Sequence, residues 1–307
     1  MRVIITGPTG AIGVALIQEC LEHQIEVLAI CHRGSKRISY LPTSPYISIL
    51  ELDLNEYKSF QPDDDKTKYD VFYHLAWCGT VGNARNDMEL QQRNIAYSLD
   101  AVCLAHRLGC HTFIGAGSQA ECGRVSGKIS AQTPAFPENG YGIAKLCAGQ
   151  MTRIMCQQFN IKHIWTRILS VYGPYDGENS MIISTIKKIL SGEIPQFTKG
   201  EQKWDYLYSK DAARAMYLLA EKGKKDKIYC IGSGKTKTLL EYIELLKNEI
   251  DPFAQLGIGA IPYVEGQVMY LCADIDELKK DTGFEVEMDF KNGIHETVKW
   301  VKNMMIK

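Results

Sequence analysis

Tyr141 and Lys145 are the residues of this chain best suited to acid–base chemistry. They stand four positions apart at the start of a helical stretch, so both side chains lie on one face, one turn apart. An ammonium beside a phenol favours the phenolate and draws its pKa from about 10 toward neutrality. A tyrosine in that state is a usable acid or base for interconverting an alcohol and a ketone. Spacing alone is poor evidence. With 16 tyrosines in the chain, about one such pair arises by chance, and Tyr206 with Lys210 is a second. Position separates the two. Tyr141 follows an apolar run that ends Ile114-Gly115-Ala116-Gly117-Ser118, so Ser118 emerges at the carboxyl edge of the sheet which that run joins. Its hydroxyl can hydrogen-bond a reacting oxygen while Tyr141 moves a proton. Tyr206 has no such upstream partner.

A second chemical feature stands at the amino end. Thr6-Gly7-Pro8-Thr9-Gly10-Ala11-Ile12-Gly13 lies between a strand-like run and a helical one. Gly7 permits a tight turn, Gly10 lets backbone approach a pyrophosphate, and Gly13 lets helix and strand pack closely. The helix amino terminus then offers free N–H groups to phosphate. The kind of dinucleotide is read after the second strand, where an NAD site usually carries Asp or Glu for the ribose 2′-hydroxyl. This chain reads Ala29-Ile30-Cys31-His32-Arg33-Gly34-Ser35-Lys36-Arg37, without a carboxylate. Arg33 is placed to meet a 2′-phosphate, with Lys36 or Arg37 in support. NADP(H) is favoured and NAD(H) stays possible; a solvated basic loop is the plain alternative. Gly232-Ser233-Gly234-Lys235-Thr236 looks like the end of a P-loop, but the required first glycine is Tyr229.

These residues need a scaffold of strands alternating with helices. Candidate strands are Arg2–Thr6, Glu26–Cys31, Ile47–Glu51, Asp70–Leu75, His111–Ala116 and His163–Ile168. Helical stripes run through Ala11–Leu21, Asp87–Leu108 and Tyr141–Phe159. The alternation implies right-handed crossovers and an α/β, Rossmann-type, doubly wound parallel sheet. After Val171 the rhythm breaks at Tyr172-Gly173-Pro174. Residues 1–171 are expected to form the dinucleotide-binding domain, with 203–233 returning to it. A smaller mixed α/β carboxy-terminal domain, 172–202 and 234–307, would cover the sheet's carboxyl edge and bind substrate.

Composition narrows the class of partner. The chain has 307 residues, 45% hydrophobic and 23% charged, with net charge -1, so no global field favours nucleic acid or an anionic membrane. No apolar run approaches the ~18 residues needed to span a bilayer. Met1-Arg2 leads straight into Val3-Ile4-Ile5, a strand rather than a signal peptide. Ten cysteines are scattered from Cys20 to Cys272 with no CxxC and no zinc-ligand spacing. Reduced thiols, no metal and a cytoplasmic location are expected.

Taken together these motifs resemble the extended short-chain dehydrogenase/reductase family, also called the NAD-dependent epimerase/dehydratase family. The likeness covers essentially the whole chain. It rests on Thr6–Gly13, Asp53-Leu54, His74-Leu75-Ala76, Asn94, Ser118 five residues before Gly123, Tyr141 with Lys145, Tyr172-Gly173-Pro174, and Trp204-Asp205-Tyr206-Leu207-Tyr208 before Asp211. The resemblance implies a catalytic triad of Ser118, Tyr141 and Lys145, and an adenine contact at Asp53. It implies further cofactor contacts at Thr9, Ala11, Ile12, Leu54, Leu75, Ala76 and Asn94. Substrate would meet Trp77, Gln119, Lys203 and Trp204, typical substrates being nucleotide-activated sugars. Homodimers built through long helices, here Asp87–Leu108 and Tyr141–Phe159, are also implied.

Three departures qualify it. Family 4,6-dehydratases carry Asp-Glu directly after the triad hydroxyl, whereas this chain has Gln119-Ala120. Many members place an arginine before Asp205 to clamp a diphosphate; here it is Trp204, with Lys203 nearby. A later turn that often carries a second arginine reads Pro262-Tyr263-Val264-Glu265-Gly266, and neither Lys nor Val replaces a bidentate fork. The reading is therefore a 4-keto reductase or C4 epimerase of a nucleotide-linked hexose. A dinucleotide-binding sensor or scaffold without turnover, or a reductase of a non-nucleotide carbonyl, are the alternatives.

Overall fold

Strands buried on both faces need apolar side chains at consecutive positions, which is why Val3-Ile4-Ile5 and Val71-Phe72-Tyr73 read as unbroken runs. In the computed structural model, which describes residues 1–61 and 68–306, these runs become strands. The elements in chain order are β1 (Arg2–Thr6), α1 (Ala11–Glu22), β2 (Glu26–Cys31), β3 (Ile47–Glu51), β4 (Val71–His74), α2 (Met88–Arg107), β5 (Thr112–Ser118), α3 (Gly140–Gln158) and β6 (Lys162–Ile168). Then follow β7 (Ser170–Tyr172), α4 (Met181–Leu190), β8 (Lys203–Trp204), β9 (Tyr206–Tyr208), α5 (Ser209–Lys222), β10 (Lys227–Ile231), β11 (Lys237–Thr238), α6 (Leu239–Ile250), α7 (Asp276–Thr282) and α8 (Phe290–Ile306).

Seven parallel strands form the main sheet in the order β10-β6-β5-β4-β1-β2-β3. The chain runs outward from β1 in one direction and from β4 in the other, so the order reverses between these two strands. Such a reversal opens a crevice at the carboxyl ends, where ligands of open α/β sheets bind. On one face α1 and α5 pack together over Val3, Ile5, Leu16 and Met216. On the other, α2 and α3 lie side by side, and Ile4, Phe72, Phe113 and Val102 fill the core there. The sheet is the Rossmann-type one expected from the sequence.

Lys227–Ile231 reads as a strand in the sequence and is β10, whereas β7, β8, β9 and β11 have only two or three residues, too few to show a period. β7 pairs with β9 in parallel and β8 with β11 antiparallel, each as a two-stranded sheet. A third core of Tyr172, Ile183, Ile186, Leu246 and Val298 joins α4, α6 and α8. β10 forms the edge of the main sheet beside β6. One segment differs from expectation: α7 lies within 234–307, yet it packs on α5 and β10 of the main sheet.

Candidate active site

The glycine turn sits in the crevice. Gly7 has φ +65, and a Cβ there would stand 2.8 Å from the Ala76 nitrogen. A Cβ on Gly13 would lie 2.5 Å from the Gly7 carbonyl oxygen, so the helix meets the turn at backbone distance. Gly10 is the N-cap of α1, with no side-chain cap and no acidic residue in the first turn. Helix N–H groups thus stay open to an anion. The turn is pinned from beneath by His74, whose Nδ1 lies 3.0 Å from Thr6 Oγ1 and Nε2 3.3 Å from Ser98 Oγ. Burial, then the Lys145 charge, lowers the His74 pKa to about 3, so this ring is neutral and structural.

A groove of about 390 Å³ runs from this turn and is lined by Gly7, Thr9, Cys31, His32, Ser35, Asp53, Leu54, Ala76 and Trp77, among others. Of the expected cofactor residues, Ile12 and Leu75 pack on the core, and Ala11 lines a separate cleft with Tyr175 and Trp300. Asn94 is 1% exposed, and its amide is consumed by the backbone of Cys78, accepting from its N–H and donating to its carbonyl. It shapes the groove wall rather than reaching into it.

At the far end of the groove, Asp53 accepts hydrogen bonds from the Arg33 N–H at 3.0 Å and from His32 Nδ1 at 2.5 Å. The Arg33 guanidinium is forked onto Glu56 at 2.8 and 2.9 Å, and that pair holds the Glu56 carboxyl near 2. Arg37 is turned away, donating to the Tyr175 carbonyl over the Tyr40 ring. Two of the three basic residues foreseen for a 2′-phosphate, Arg33 and Arg37, are therefore engaged within the protein. A carboxylate three residues after Asp53 was the signal available for this.

Ser118, Tyr141 and Lys145 meet at the carboxyl end of β5. All three are buried, at 7%, 9% and 4% exposure. Asn139 caps α3 by accepting from the Gly142 N–H, which fixes the turn that presents Tyr141. Burial pushes the phenol's pKa up, against the opposing influence of the Ser118 hydroxyl and the charge of Arg85. This corrects one expectation. Lys145 does not depress the phenol's pKa here: its Nζ donates to the Ala116 carbonyl at 2.6 Å and lies 5.8 Å from the Tyr141 ring. Burial brings Lys145 itself down to about 7, opposed by Glu121.

Three further residues enter the site without having been foreseen. The Arg85 guanidinium lies 4.4 Å from the centre of the Tyr141 ring, steadied by a bond to the Thr80 carbonyl. Gln91 accepts from the Trp77 indole N–H at 2.9 Å. Glu121, 1% exposed, accepts from the Ser118 N–H and from Trp165, and pairs with the buried Arg167 at 3.3 Å. Ser118 and Glu121 stand at capping-box spacing, a legible signal; Arg85 and Gln91 left none.

The expected substrate residues are spread. Trp77 lines the groove that runs from the glycine turn. Gln119 opens the short turn after Ser118. Lys203 is exposed on β8, and the Trp204 indole is spent on Ser170 at 2.7 Å. The rival features dissolve: Lys210 pairs with Glu22, and Asp205 fills the Ser233-Gly234 turn by accepting both backbone N–H groups. Among the described residues, no cluster of three or more His, Cys, Asp or Glu is arranged to hold a metal ion, and no helix is long and apolar enough to cross a membrane.

Comparison with known proteins agrees with this geometry. A dTDP-4-dehydro-6-deoxyglucose reductase from Escherichia coli is 27% identical, covering 98% of this chain and 97% of its own. A putative UDP-glucose 4-epimerase from Methanocaldococcus jannaschii is 25% identical, covering 98% of both. Among solved structures, a UDP-N-acetylglucosamine 4-epimerase from Methanobrevibacter ruminantium superimposes with a TM-score of 0.88 at 24% identity, covering 99% of both chains. A Bacillus cereus UDP-glucuronic acid 4-epimerase, solved with NAD and a substrate analogue, gives 0.87 at 20% identity over 99% of this chain and 100% of that one. The family model described as "NAD dependent epimerase/dehydratase family" matches residues 3–232, and with the glycine turn, the sheet order and the Ser118–Tyr141–Lys145 cluster in place, the chain belongs to that family.

Proposed function

We propose that this protein is a pyridine-nucleotide-dependent oxidoreductase acting at C4 of a nucleotide-linked hexose, as a 4-keto reductase. The observation that carries the reading is the convergence of the buried Ser118, Tyr141 and Lys145 at the carboxyl edge of β5, with Lys145 one turn beyond Tyr141 along α3. Burial keeps the phenol protonated, the form that donates to a carbonyl oxygen as it becomes a hydroxyl. Ser118 orients that oxygen. The open amino end of α1 and the Gly7–Gly10 turn fit the dinucleotide pyrophosphate. When bound, the cofactor supplies the hydride. Gln119-Ala120 in place of an acid pair after Ser118 speaks against elimination of water. The nucleotide-sugar class rests on the reductase and epimerases named above, and a cytoplasmic homodimer belongs to the same reading.

NADP(H) is the cofactor favoured by the absence of a carboxylate at the end of β2 and by Arg33, two residues after that strand and next in sequence to His32 of the groove lining. A second reading, a C4 epimerase retaining NAD(H), is favoured by the Arg33–Glu56 fork, which occupies the cation a 2′-phosphate would need. Incubation with NADPH or NADH and a panel of 4-keto nucleotide sugars tests both. Oxidation of NADPH is expected. Interconversion of C4 epimers without net oxidation supports the second reading, and inertness with bound cofactor demonstrated overturns both in favour of a binding protein without turnover.

A further inference from the structure

Lys145 carries three N–H donors into a nearly water-free position and finds one acceptor, the Ala116 carbonyl. Among the described residues it forms no salt bridge. The groups that face it are few. The neutral His74 comes from β4 and the Glu121 carboxylate from the turn after β5, both at longer range, and the Tyr141 ring stands on its own helix. The closest is aromatic: Nζ lies 3.7 Å from the centre of the Trp77 ring. That indole is not free to drift. Its N–H donates to Gln91 Oε1, and Gln91, 2% exposed, spends its own amide protons on the Gly79 and Ala84 carbonyls. Asn94 adds a bond to the same Gln91 oxygen at 3.3 Å. The loop after β4 is therefore clamped to α2 in the conformation that holds the indole face against the ammonium, and the same indole lines the dinucleotide groove.

We propose that Trp77, fixed by Gln91, is a positioning residue that stands in for the missing counter-ion of Lys145, its ring face holding the ammonium charged at the wall of the dinucleotide groove. A cation over an indole face is attracted by the ring quadrupole, most strongly where water is excluded. Only the charged form of the lysine gains from this. The contact therefore opposes the burial that drives Lys145 toward neutrality. With one N–H on the Ala116 carbonyl and one directed at the ring, the third is left for a hydroxyl group of a bound ligand. The inference rests on the reading that Lys145 serves the reaction, but its geometry is testable without turnover.

The experiment is NMR of full-length protein labelled with carbon-13 at the lysine ε position, without cofactor, with Lys145→Met assigning the resonance. In the wild type the Lys145 ε-protons resonate upfield under the indole ring current. In Trp77→Leu that displacement vanishes and the titration midpoint falls by about one pH unit. Trp77→Phe retains most of both effects, and Gln91→Leu, with the indole untied, loses part of each. Should Trp77→Leu fail to fold, Gln91→Leu carries the same measurement. An unshifted wild-type resonance, or a midpoint in Trp77→Leu, or in Gln91→Leu where it replaces it, equal to that of the wild type, overturns the proposal. The catalytic reading fails separately: it is lost if Tyr141→Phe retains turnover, whatever Lys145 does.

Discussion

In the proposed reaction Tyr141 gives a proton and Lys145 supplies charge, and each assignment makes a different demand on experiment. Tyr141→Phe removes the hydroxyl while keeping the ring that meets Arg85 and Trp77. Its kcat should fall by about 10²–10⁴-fold with dinucleotide affinity, read by fluorescence titration, nearly unchanged. Lys145 lowers stability in exchange for its role. Burial brings its pKa in the folded protein down to about 7, below the 10.5 of a free lysine, so the unfolded chain holds the proton more tightly. Wild-type stability therefore rises with pH between these values and is lost again as pH falls toward the lower one, by about 1.4 kcal/mol per unit at most. Lys145→Met escapes that penalty. In thermal denaturation the variant should melt above the wild type near neutral pH, with the gap narrowing as pH approaches 10. A gap that widens with pH would place the ammonium in a site that favours its charge.

At the scale of the element, the turn after β5 decides where Ser118 points. Glu121 accepts from the Ser118 N–H at 2.8 Å and from the Trp165 indole at 2.9 Å, while Arg167 links the same carboxylate to the Ser130 carbonyl. Trp165 can lie there because β5 offers Gly115 and Gly117, where a Cβ would stand 2.2 Å from the indole. Glu121→Leu orphans two N–H groups and a buried guanidinium, so it should destabilise the fold by about 3 kcal/mol or more in denaturant titration. A loss below about 1 kcal/mol would mean that Arg167 finds another partner. What could be read from sequence follows from the same physics. Strands β1 to β6, the glycine turn and Ser118 are local or periodic, and their apolar runs and Gly spacings survive in one dimension. The Arg33–Glu56 fork, Arg85 over Tyr141 and Gln91 beneath Trp77 join side chains from loops with no period. Asp205, which fills the turn that resembled a P-loop, acts across 28 residues of chain. Such contacts exist only once the sheet has brought its edges together.

For the whole molecule the open question is what covers α3. The helix turns Tyr141 and Lys145 inward, yet its outer surface shows Ile143, Met151 and Ile154 at 51%, 44% and 47% exposure, with Cys147 half-buried between them. Positions 143, 147, 151 and 154 follow the helical repeat, so they form one stripe, and α2 already occupies a flank. A contiguous apolar stripe left to water favours association. A second copy meeting it about a twofold axis would bury it against itself. Sedimentation equilibrium should return twice the chain mass of 34.5 kDa. Met151→Glu with Ile154→Glu should return a single chain mass, because two carboxylates from each copy would then face each other out of water. Neither side chain touches the proton-transfer residues, so the double variant should keep its circular dichroism while its melting temperature falls with the lost interface. A wild type that sediments as one chain, or a double variant that still pairs, would show that the long-helix face is not where this protein meets its copy.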